Sequence, residues 1–150
     1  MKIQEANNIF KNFLANTKNK SEIKVYQEFT HILSRLEKRN FTDSELKLIE
    51  DELSRLDLSA NPENKGKYFR KALKQMKEFL RDQFSLVTQG YFINRGLGLG
   101  LSFGALIGIV LFSSLERSLG IALGITLGGA LGYAIGKSLD EKAVKESRML

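Results

Sequence analysis

Glycine recurs at every fourth residue through two stretches of this chain, first at Gly96, Gly100, Gly104 and Gly108, then at Gly120, Gly124, Gly128, Gly132 and Gly136. Both stretches are apolar: residues 96–115 and 118–136 contain no charged side chain, and Ser-Leu-Glu-Arg-Ser at 114–118 separates them. Gly is among the poorest helix formers in water. Inside a bilayer, the same residue at four-residue spacing clears one face of a helix and lets a second backbone approach closely. The pattern predicts spans at 97–115 and 118–136, each 19 residues long. At a rise of 1.5 Å per residue, each reaches about 28 Å, close to the hydrocarbon thickness of a membrane. The short connection makes them antiparallel neighbours.

The basic residues near the span ends predict the orientation. Lys77, Arg81 and Arg95 precede the first span, and Lys137, Lys142, Lys145 and Arg148 follow the second, whereas the turn holds only Arg117. Both termini are therefore expected in the cytoplasm, with Tyr91 and Phe92 at the entry interface. The string Gly96-Leu-Gly-Leu-Gly-Leu alternates as a strand would, but an isolated strand cannot cross a bilayer. A helix with a frayed start near 96–100 is expected there.

The second span reads as tetrads, Leu119-Gly-Ile-Ala through Leu131-Gly-Tyr-Ala. Two residues on from each glycine is about 200° around a helix. Ala122, Thr126, Ala130, Ala134 and Ser138 therefore form a second small-residue face opposite the glycine row. One face can hold the first span and the other a second protomer, which predicts a homo-oligomer. These rows resemble those of glycine-zipper membrane proteins over residues 96–136. The resemblance implies helix-packing roles for the nine glycines and no single activity, since that class includes anchors, channels and membrane-disrupting proteins.

Residues 1–90 are of a different character, with 17 Lys/Arg and 13 Asp/Glu. Apolar residues recur at three- to four-residue spacing in four segments, predicting amphipathic helices at about 2–15, 22–39, 43–57 and 62–88. Ser21 is the expected cap of the second. Thr42-Asp43-Ser44-Glu45 is a capping box for the third, and Asn61-Pro62-Glu63 is the expected opening of the fourth. Phe10, Phe13, Phe29, Phe69, Phe79 and Phe84 would supply much of a small core. The fold class expected is thus all-α: an N-terminal four-helix region over 1–90, an antiparallel two-helix transmembrane hairpin over 91–138, and a charged tail over 139–150.

Along the fourth helix Lys67, Arg70, Lys71, Lys74, Lys77 and Arg81 recur at three to four residues and form a basic stripe. Such a stripe near a membrane attracts anionic lipid headgroups or serves a cytoplasmic protein partner; the other reading is an ordinary solvated helix face, with Glu78 and Asp82 breaking up the charge. The net charge of +6 is accompanied by no nucleic-acid motif, so nucleic acid is not an expected partner.

Catalytic chemistry finds little support. The chain has no cysteine, which excludes disulfides and thiolate sites, and a single histidine, His31, with no second ligand type beside it. Glu50-Asp51-Glu52 reads as a solvated helix face. The glycine string at 96–104 lacks the preceding strand of a phosphate-binding loop. No ionisable residue lies within either span, so there is no candidate for a proton relay, and Ser102 and Thr126 are expected to bond to helical carbonyls or across helices. The N-terminal segment lacks the uninterrupted apolar core of a secretory signal peptide. No enzyme activity, cofactor or metal is expected. The expected function is a membrane-anchored scaffold or adaptor that self-associates; the alternative is an oligomeric pore or membrane-permeabilising effector.

Overall fold

The computed structural model describes residues 1–111 and 117–150, the side chains of Leu111 and Arg117 excepted. Among the described residues the chain is all-α, with six helices: α1 (Ile3–Asn16), α2 (Lys20–Glu37), α3 (Asp43–Arg55), α4 (Lys65–Phe84), α5 (Tyr91–Leu111) and α6 (Arg117–Lys145). They fall into two compact units, Met1–Leu86 together with Leu150, and Val87–Met149.

In the first unit the apolar stripes of α1, α2 and α4 close on an aromatic cluster. Phe10, Phe29 and Phe69 are fully buried. The Phe10 and Phe29 rings stack with centroids 4.1 Å apart, and Phe69 meets Phe10 edge-on at 5.6 Å. Aromatic pairs in these geometries add about 0.5–1.5 kcal/mol beyond the area they bury. Tyr26, absent from the expected core, is also buried here and meets Phe69 edge-on at 5.6 Å. Phe13, Phe79 and Phe84 are only partly buried and pack around the edge. Ile32, Leu33, Leu36, Ile49, Leu53, Met76 and Leu80 extend the core along the bundle, and Leu58 enters it from the turn after α3.

The helix ends show which local signals operate. The α3 capping box is formed: the Thr42 hydroxyl accepts from the Glu45 N–H, and the Glu45 carboxylate accepts from the Thr42 N–H at 2.8 Å. At α2 the cap is Asn19, whose side chain accepts from the Ser21 N–H at 3.0 Å, rather than Ser21 itself. The fourth helix starts at Lys65, with Asn64 accepting from the Lys67 N–H at 2.9 Å. Asn61 and Pro62 lie ahead of it. In its first turn the Tyr68 hydroxyl shares its one proton between the carbonyls of Leu56 and Asp57, each at 3.2 Å. The same helix stops at Phe84 rather than at 88. Ser85 takes a left-handed conformation (φ 55°), and the N–H groups of Ser85 and Leu86 return to the carbonyls of Arg81 and Leu80.

In the second unit α5 and α6 form an antiparallel hairpin. α5 is helical from Tyr91, six residues ahead of the expected span, and continues through Gly96–Gly100 without a break. The ladder of bonds from each N–H to the carbonyl four residues earlier needs no side chain, so the alternating Gly-Leu string follows its neighbours. α6 runs to Lys145, so most of the expected tail, 139–145, is helix. It closes in a Schellman motif: Ser147 is left-handed (φ 55°), the Arg148 N–H donates to the Ala143 carbonyl, and the Ser147 N–H to that of Val144. The Val87 N–H donates to the Arg148 carbonyl at 3.0 Å, within an isolated parallel bridge between Val87 and Met149. The tight turn expected at 114–118 lies largely outside the described residues.

Candidate functional site

The seam of the hairpin is made of backbone. Gly96 faces Gly132, Gly100 faces Gly128, Gly104 faces Gly124 and Gly108 faces Gly120, each rung four residues up one helix and four down the other. A methyl group at Gly124 would lie 2.6 Å from the Gly108 Cα, and one at Gly128 would lie 2.7 Å from the Gly104 Cα. At Gly136 it would lie 2.5 Å from the Phe92 carbonyl oxygen. Real Cβ atoms do not approach backbone so closely, and backbone in two packed helices cannot step aside. Gly98, off the row, has nothing within 4 Å, and Gly129 would meet only the flexible tip of Leu101 at 2.9 Å.

The four-residue period continues past the last glycine to Asp140. Its side chain is buried, and one carboxylate oxygen accepts from the Phe92 N–H at 3.1 Å; the other is buried without a hydrogen-bond partner. Asp140 thus caps the first turn of α5 from the neighbouring helix, where an anion also suits the positive end of the helix dipole. The sequence offered the period as a signal for this role, but a carboxylate is not a small residue and the position reads as tail.

The second small-residue face, Ala122, Thr126, Ala130, Ala134 and Ser138, is exposed along its whole length. Thr126 donates to the Ala122 carbonyl at 2.8 Å, and Ser102 to that of Gly98 at 2.9 Å, so both hydroxyls are satisfied within their own helices. Beside the seam runs an apolar groove of about 540 Å³, floored by glycines and walled by Leu99, Phe103 and Ile107 on α5 and Leu127, Leu131 and Ile135 on α6. Both helices are long and apolar enough to cross a membrane by length and composition.

No family model, curated protein or solved structure matches this chain.

On the first unit, the cations of the α4 stripe differ in their surroundings. Arg81 pairs with Asp82 at 2.7 Å and holds that carboxyl below the usual carboxylate range through its hydrogen bond and charge. Lys71 is exposed. The remaining four border the space between α4 and α2: Lys77 is paired with Glu28, Lys74 lies a loose 3.9 Å from Glu78, and Arg70 donates to the Ser21 hydroxyl at 2.6 Å. Lys24 of α2 joins them in lining a cavity of about 390 Å³, and Lys67 lines an adjoining one of about 480 Å³. Reading α4 alone could not find Lys24, because its place beside Arg70 depends on how two helices pack. His31 is exposed, and no group of three or more metal-ligating side chains occurs among the described residues.

Proposed function

We propose that the chain is an integral membrane protein. In this reading α5 and α6 cross the bilayer as a glycine-zipper hairpin, with both termini cytoplasmic. The α1–α4 unit stands at the membrane surface as a scaffold or adaptor, and copies of the protein associate through the hairpin.

The observation that carries the reading is the exposure of the two most apolar helices. The most apolar windows of α5 and α6 have mean hydropathies of 1.5 and 1.6, yet only 11% and 28% of them is buried within the chain. Phe103, Leu131 and Val110 are 60%, 65% and 72% exposed. A protein in water does not leave an apolar surface of this extent uncovered. Lipid covers it at no cost, and the helices satisfy their own backbone amides as a bilayer interior demands. The flanking cations, seven outside the turn against Arg117 within it, support the cytoplasmic placement of both ends.

The test is direct. Expressed in cells, the protein is expected to stay with membranes through alkaline carbonate washing and to float with purified phosphatidylcholine vesicles. Release into the alkaline supernatant would contradict the reading. Ion flux measured on the same vesicles separates a scaffold from the pore alternative. The Ser102 and Thr126 hydroxyls bond within their own helices, and the spans carry no charged side chain, so a tight bilayer is expected even at high protein load.

A further inference from the structure

We propose that the groove between α2 and α4 is a binding site for the phosphorylated headgroup of an anionic membrane lipid. This rests on the membrane reading above and adds to it a defined site on the helical unit.

Five cations border the groove, Lys24 from α2 and Lys67, Arg70, Lys74 and Lys77 from α4. Glu28 and Glu22 line the groove with them, and both are engaged; Glu78 of α4 lies 3.9 Å from Lys74. Glu28 is paired with Lys77, while Glu22 accepts from the Thr17 hydroxyl at 2.8 Å and the Asn19 amide at 3.3 Å. Lys24, Lys67 and Arg70 have no ion-pair partner among the described residues. A fold has no stabilising reason to gather unpaired like charges in one concavity, where the field they make is concentrated and draws anions.

Arg70 is the centre of the arrangement. It lines both adjoining cavities, and its bond to Ser21 steadies the guanidinium there. A planar guanidinium held in place is suited to phosphate oxygens. The volumes of about 390 and 480 Å³ each correspond to roughly a dozen or more waters. Both cavities are open to solvent and leave room for a phosphate carried on a polar headgroup.

The chain itself selects the lipid source. Residues 85–90 alone separate α4 from α5, a contour of about 20 Å at full extension. On an inserted hairpin, this tether keeps the helical unit beside headgroups whose effective concentration far exceeds that of a dilute soluble anion.

Lysine acylation followed by mass spectrometry on the full protein in vesicles tests the site. Adding phosphatidylinositol 4-phosphate to phosphatidylcholine vesicles is expected to slow modification of Lys24, Lys67 and Lys74 several-fold, leaving Lys11 and Lys47 unchanged. In the Lys24→Gln/Arg70→Gln double variant, with helicity checked by circular dichroism, that protection of Lys67 and Lys74 is lost. Uniform slowing of all lysines, or none, overturns the proposal. So does equal protection by pyrophosphate added to pure phosphatidylcholine vesicles, which would assign the groove to a soluble anion. Flotation with phosphatidylcholine vesicles reports the membrane reading separately: protein that floats without protection of these lysines removes the site and keeps the hairpin.

Discussion

A methyl group separates two kinds of glycine in α5. At Gly104 a Cβ would press on the backbone of Gly124 and lie 3.0 Å from the Gly128 Cα, whereas at Gly98 it would meet nothing within 4 Å. Gly104→Ala is therefore expected to destabilise the hairpin by about 1–3 kcal/mol, the usual cost of overpacking a tight contact, and Gly98→Ala to leave it unchanged. Thermal unfolding of the two variants in one detergent makes the comparison. Tyr26 offers a second residue-scale test. Burial first, and then the negative charge of Glu22, push its phenol up to about 12, against an ordinary value of about 10. Below the unfolded value both states hold the proton and nothing is lost. As pH rises from there through the folded value, the unfolded chain gives up its proton first and stability falls. Tyr26→Phe removes the titrating phenol together with its interaction with Glu22. Its unfolding midpoint in denaturant should drop less than that of the wild type between about pH 9 and pH 11.

Single elements were legible in the sequence where their signals are local. The Thr42–Glu45 capping box needs four consecutive residues and forms as read. The start of α4 does not follow from such a signal, because Asn61 and Asn64 are both good caps. The hairpin seam was legible because its period fixes its face. Its lower end was not, since Asp140 acts on a different helix, 48 residues away along the chain. At this scale the expected outcome of Asp140→Ala is a loss of about 1–2 kcal/mol from the first turn of α5. Hydrogen exchange is the measurement: amides at 92–94 should exchange faster while those at 104–108 keep their protection. The basic groove was invisible for the same reason. Periodicity places cations on one face of α4, but only packing sets Lys24 of α2 beside them.

For the molecule as a whole, the glycine rows have a bearing on assembly. In the folded hairpin they face each other, so replacing them breaks a contact within the chain before it touches any contact between chains. The face that reports on association is the exposed one, Ala122, Thr126, Ala130 and Ala134. If copies pair there by close helix packing, Ala122→Leu/Ala130→Leu lowers the crosslinked oligomer in detergent while the hairpin keeps its melting temperature. An unchanged oligomer ladder would place the contact elsewhere or deny it. A loss of both would show that the face also supports the monomer.

The seam has one more consequence, for how this hairpin tolerates change. Its two helices touch through carbonyl and Cα atoms that every residue possesses, so the identity of the side chains between the rungs does not set the contact. A saturation scan of residues 96–108 and 120–136 should look like a comb: a narrow tooth of intolerance at each glycine of the two rows, and between the teeth wide freedom to exchange one apolar residue for another.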